Sequence, residues 1–115
     1  MTRILVVESE TPSRQTMRNI LLEAGYDVEV ATDGGDAILA HDRRPADLVI
    51  ADIITMEAHT RFNGALMLAL PCGLSARDAA IRMKAAHADA MLPKPFRRDQ
   101  LLAAVRDTLE SATCI

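Results

Sequence analysis

Short aliphatic runs alternate with stretches of helical periodicity along this chain, and the runs tend to end in polar residues. ILVV at 4–7 leads into Glu8, Ser9 and Glu10; DVEVA at 27–31 reads as a second strand; DLVIA at 47–51 reads as a third, ending at Asp52. ALMLAL at 65–70 and residues 90–92 complete the set. Between the first two runs, Thr11 is placed as a helix N-cap with Pro12 at the first helical position, where its missing N–H costs nothing. Met17, Ile20, Leu21 and Ala24 then share one helix face, and Gly25 closes the helix. Residues 35–41 read as a second helix. Ser75 opens another, with Asp78 three residues on in capping-box fashion, and residues 97 to about 110 form a last amphipathic helix. This alternation predicts βαβ units in an open five-stranded α/β sheet.

The rhythm breaks once. Only residues 53–64 separate Asp52 from the fourth run, close to the minimum for a parallel crossover with its helix, so the helix there is expected to be shortened or missing. Asn63-Gly64 offers an alternative, a tight turn closing a hairpin between HTRF and ALML. With the helix reduced, apolar side chains of strands three and four would face water. Such a patch commonly marks an interaction surface, and a homodimer partner or another protein is expected to cover it.

A length of 115 residues bounds the chain to one domain, read as 1–115 with no effector domain. Half of the residues are hydrophobic, a quarter are charged, and the net charge is −3, which argues against disorder and against nucleic-acid binding. Cys72 and Cys114 have neither CxxC spacing nor a neighbouring His cluster, so a reducing cytoplasm fits better than a disulfide framework or a zinc site. No apolar run approaches the ~18 residues of a membrane helix, and the N-terminus leads straight into a strand. His41, His59 and His87 lack metal-ligand spacing and read as surface residues. Arg43-Arg44 and Arg97-Arg98 read as solvated.

In open α/β sheets ligands bind beyond the carboxyl ends of the strands, where strand order reverses. That rule gathers Glu8 and Ser9, Asp52, Cys72 and Lys94 into one site. Carboxylates with room for water suit Mg²⁺, and a lysine supplies a point charge for phosphate. The chemistry this implies is phosphoryl transfer to Asp52.

The segments RILVVESE, LLEAGYDVEVATDGGDAI, DLVIADI and MLPKPF, in that order, resemble the response regulator receiver family, the CheY-like domains of two-component signalling. The likeness runs from Arg3 to about Leu109. It implies a doubly wound parallel sheet of order 2-1-3-4-5. It also implies Asp52 as phosphoacceptor, Glu8 as the first of the acidic pair, Lys94 as the phosphoryl contact, and Pro95 following a cis peptide bond. Mg²⁺ would be held by Glu8, Asp52 and the backbone carbonyl of Ile54. Histidine kinases or phosphotransfer proteins are the implied partners, and any homodimer would form through the sheet face or the last helices.

Several positions depart from the family pattern. Ser9 stands where the family has its main metal-holding acid, so Mg²⁺ binding is expected to weaken. Glu10, one step further along, leaves the strand end in another direction and reads as a loop or helix-start charge. The switch positions carry Cys72 and Met91 instead of a hydroxyl residue and an aromatic, and a thiol is the weaker hydrogen-bonding group. The leading expectation is a single-domain response regulator, a signalling domain rather than an enzyme, that accepts phosphate on Asp52 and signals through protein contacts. The alternative is a pseudo-receiver that docks or dimerises without phosphate. An aspartyl-phosphate hydrolase of the haloacid dehalogenase kind needs an acid where Ile54 stands, and is discounted.

Overall fold

The structure is a computed structural model and describes residues 2–52, 62, 64–71, 77, 78, 81 and 88–113, the last two without side chains. Its strands are β1 (Arg3–Val7), β2 (Asp27–Ala31), β3 (Leu48–Asp52), β4 (Leu66–Leu70) and β5 (Ala90–Met91). Its helices are α1 (Thr11–Glu23), α2 (Gly34–Arg43) and α3 (Arg98–Thr113). All strand pairs are parallel, as the pattern of runs implies, and the order is β2-β1-β3-β4-β5, as the family likeness implies. Between β1 and β3 the chain reverses its winding direction.

Period two in the strands divides the core into two layers. Ile4, Val6, Leu48, Ile50, Leu68 and Leu70 pack against Met17 and Leu21 of α1 and Leu101 and Val105 of α3. Leu5, Val7, Val49, Ala51 and Met67 point to the other face, toward Ala37 and Ala40 of α2. Every residue of β1 is buried, as a central parallel strand covered on both faces requires.

The helix ends follow local chemistry, with shifts from the sequence reading. The N-cap of α1 is Glu10 and not Thr11, so Pro12 sits one residue deeper, still within the turn whose N–H groups lack intrahelical partners. Its C-cap is Ala24, with Gly25 just beyond at φ 96°. The amide of Tyr26 reaches the Leu21 carbonyl at 3.2 Å and that of Gly25 the Leu22 carbonyl at 3.0 Å, a Schellman closure that calls for a positive φ at position 25. α2 begins at Gly34 because the Asp33 carboxylate accepts the Asp36 amide at 2.8 Å. At the start of α3, Gln100 Oε1 accepts the Arg97 amide at 2.7 Å, the reciprocal half of a capping box. On the same turn, a hydrogen bond from Arg97 holds the exposed Asp99 carboxyl below the usual range.

Two expectations change. Asn63-Gly64 does precede β4, with Gly64 at φ 81° and the Ala65 amide bonded to the Phe62 carbonyl at 3.0 Å. Yet β3 and β5 hold both edges of β4, so no edge is left for a hairpin partner. The expected bare sheet face is also absent on the described strands: Val49, Ala51, Met67 and Ala69 are all buried within one chain. Phe62 joins that layer and covers part of it. The shortened helix within 53–64 and the Ser75 cap lie outside the described residues, although Arg77, Asp78 and Ile81 are helical.

His41, expected at the surface, is only 6% exposed. Its Nδ1 accepts the Ala46 amide at 3.0 Å, and its ring meets Phe62 edge-on at 5.4 Å between centroids. It ties α2 to the entry of β3 and to the connection before β4. Replacing it with alanine orphans a buried amide and removes an aromatic contact, so His41→Ala is expected to cost about 2–3 kcal/mol. Urea unfolding checks this, and a loss no larger than that of an exposed substitution would show the pin to be dispensable.

Arg3 forms a second tie at the opposite end of the strands from Asp52. Its guanidinium contacts Asp27 at 3.2 Å, Glu29, and the Arg44 carbonyl at 3.3 Å. Arg43 and Arg44, expected to be solvated, add outer contacts to Glu29 at 3.5 Å and Asp27 at 3.3 Å. The two acids are about a third exposed, so water screens part of the interaction. Arg3→Met is accordingly expected to lose about 1–2 kcal/mol rather than the ~3–5 of a fully buried pair. A thermal melt unchanged from wild type would count against this network.

Candidate functional site

Glu8 continues β1 by one residue, its amide bonded to the Ala31 carbonyl at 3.0 Å, and it is 2% exposed. Asp52 is the last residue of β3. Lys94 follows β5, where Leu92 donates its amide to the Ala69 carbonyl at 2.9 Å and Lys94 donates its own to the Pro71 carbonyl at 3.0 Å. The Lys94–Pro95 peptide bond is cis. These strand ends, together with the start of α1, enclose a cleft of about 570 Å³ lined by Glu8, Ser9, Glu10, Asp52, Lys94 and Pro95, with Pro12, Met17 and Phe96 as its apolar side. Residues distant in sequence thus meet at the point where the sheet changes winding direction.

Lys94 Nζ contacts Glu8 Oε2 directly, and the other Glu8 oxygen accepts the Glu10 amide at 3.2 Å. A buried carboxylate is tolerable only with such partners. Among the described residues, no buried side-chain nitrogen or oxygen lacks one. Glu10 starts α1 and is exposed, its carboxylate accepting the Ser13 hydroxyl at 3.3 Å. Asp52 is half-buried and has an interaction of its own.

Sequence reasoning missed Arg14. From the first turn of α1 its Nη1 reaches back to the carbonyls of Glu8 at 3.0 Å and Ser9 at 3.4 Å, while Nη2 meets Thr11 Oγ1 at 3.3 Å. The guanidinium thereby braces the turn that carries Glu8 and Ser9. Its position four residues after Glu10 was the available signal, since that spacing returns a side chain over the preceding turn.

Of the other expected site residues, Met91 is half-buried on β5 opposite Ala69. Ile54 and Cys72 lie outside the described residues, as does Cys114. The donors that are described do not fit a resident Mg²⁺, which wants hard oxygen ligands in near-octahedral geometry. Glu8 has both oxygens engaged, Ser9 brings a neutral hydroxyl, and among the described residues no group of three or more His, Cys, Asp or Glu could hold a metal ion. The arrangement nevertheless lines one cleft with the Asp52 carboxylate and a lysine, and a lysine there supplies a point charge suited to a phosphoryl group.

Among the described residues, no helix is long and apolar enough to cross a membrane. No protein-family model matches the chain. It is 36% identical over 123 residues to response regulator MprA of Mycolicibacterium vanbaalenii, an alignment covering 96% of this chain and 52% of MprA. The chain therefore spans about half the length of the curated relatives it matches. Among solved structures, chemotaxis response regulator CheY4 of Vibrio cholerae superposes with a TM-score of 0.79 at 24% identity, covering 94% of this chain and 98% of CheY4. The signal receiver domain of a putative LuxO repressor protein from Vibrio parahaemolyticus gives 0.80 at 22% identity, covering 97% and 92%. At those identities the superpositions speak for the fold, and the fold is the one that the order of strands and the MprA likeness both imply. The chain belongs to the response regulator receiver family, the CheY-like domains.

Proposed function

We propose that this chain works in two-component signalling as a phosphoacceptor, with Asp52 taking a phosphoryl group from a phosphohistidine on a histidine kinase or a phosphotransfer protein. A carboxylate oxygen of Asp52 bonds to phosphorus, the P–N bond to the donor imidazole breaks, and the imidazole nitrogen keeps that electron pair and takes up a proton. Lys94 offsets the charge arriving at the cleft. The observation that carries this reading is the convergence of Asp52, Glu8 and Lys94 on one cleft from three different strand ends. Output then passes through protein contacts in the cytoplasm, with α3 rather than the covered sheet face as the candidate surface for a homodimer.

Intact mass after incubation with acetyl phosphate tests the reading. One phosphoryl adduct on wild type, released by hydroxylamine as an acyl phosphate must be, supports it; an adduct that survives hydroxylamine defeats it.

One observation favours a second reading, a phosphate-independent docking module: Lys94 is already engaged by Glu8. That module would bind its partner equally well with Asp52→Asn, whereas the phosphoacceptor would show phosphate-dependent binding.

A further inference from the structure

We propose that Lys94 takes the place of a divalent cation at this site, so that the cleft operates with a cation supplied by the chain itself. The inference starts from the oxygen atoms of the turn after β1. Glu8 Oε2 is held by Lys94 Nζ. Glu8 Oε1 accepts the Glu10 amide at 3.2 Å. These two carboxylate oxygens are the hard donors that Glu8 would offer to a small cation entering beside Asp52.

Lys94 differs from a loose surface charge. The Lys94 side chain is 17% exposed, and its backbone is fixed to the end of β4 through the Pro71 carbonyl at 3.0 Å. Mg²⁺ sheds its own waters reluctantly, so displacing an ammonium from a buried carboxylate leaves it little gain. Ser9 adds no charge to offset that cost. A second acid at this position would leave more negative charge than Lys94 can balance, and a divalent ion would then be favoured.

The functional consequence rests on the phosphoacceptor reading: charge arriving at Asp52 meets Lys94 rather than a metal, and phosphorylation proceeds in the presence of a chelator. The cation question itself can be settled without any phosphate. Mn²⁺ is titrated into the ¹⁵N-labelled chain, and paramagnetic broadening of amide signals is followed at Glu8, Ser9, Glu10 and Asp52, with exposed α2 amides as the reference. In wild type the cleft amides are expected to broaden no more than the reference up to ~1 mM Mn²⁺, the weak end of protein sites for divalent ions. Lys94→Met, which frees Glu8, and Ser9→Asp, which adds a carboxylate, are each expected to broaden selectively at the cleft at roughly tenfold lower Mn²⁺. Should Lys94→Met fail to fold, Ser9→Asp decides alone. Selective broadening of wild type below ~1 mM overturns the proposal, and so does a folded variant that responds no better than wild type. Because no phosphodonor is present, failure of Asp52 as acceptor leaves this outcome standing, and the reverse also holds.

Discussion

An Asp52→Asn chain incubated with acetyl or carbamoyl phosphate is expected to gain no phosphoryl mass, while wild type gains one adduct. The carboxamide is close in shape to the carboxylate but lacks the anionic oxygen that attacks phosphorus, so the nucleophile is lost with little change in packing. Asp52 is half-buried at the end of a strand whose preceding four residues are all buried, so β3 holds the position. Asp52→Asn is therefore expected to fold as wild type does, and circular dichroism should confirm it. An adduct that persists on the folded variant would move the acceptor elsewhere and end the Asp52 assignment. A wild type that never takes up phosphate, while remaining folded, would shift the weight to the docking-module reading.

Lys94→Met should give the largest stability effect, a loss of about 3 kcal/mol in unfolding free energy. The side chains of Glu8 and Lys94 are 3% and 17% exposed, so water screens their pairing little. Removing the lysine leaves a buried carboxylate with one amide for company, and breaking a buried pair from one side costs far more than the net worth of the pair. With a urea m-value of roughly 1–3 kcal/mol per molar for a small domain, the midpoint should fall by about 1 M or more. The double variant Glu8→Met/Lys94→Met removes both charges and is expected to recover most of the loss, since apolar replacement of a buried ion pair is often close to neutral. Equal losses in the single and double variants would assign the effect to packing and remove the ion pair from the account.

The strands and their parallel pairing were legible because buried runs of four to six aliphatic residues, separated by helical periodicity, have few other solutions. β2 occupies 27–31 in both the sequence reading and the structure, and the closure at Gly25 follows from a local rule about positive φ. Helix starts were less legible. Glu10 rather than Thr11 precedes α1, and it makes no side-chain bond to the helix amides that would mark the boundary. Proline and threonine alone leave the boundary free to shift by a residue.

The site divides in the same way. That Glu8, Asp52 and Lys94 would stand near one another could be argued from strand ends alone, since a parallel sheet places all its carboxyl ends on one side. What the side chains do there depended on the fold. Glu8 and Lys94 are 86 positions apart, and only the packing of β5 beyond β4 brings the ammonium onto that carboxylate instead of into solvent. The same holds for His41, whose burial depends on Phe62 arriving from another part of the chain. Periodicity reports which face of an element is buried, so the sequence by itself determined the sheet, its layers and the residues at its carboxyl edge. Long polar side chains choose among partners that are remote in sequence, and their pairings were decided only by the tertiary structure, where burial makes an unpaired charge too costly to leave.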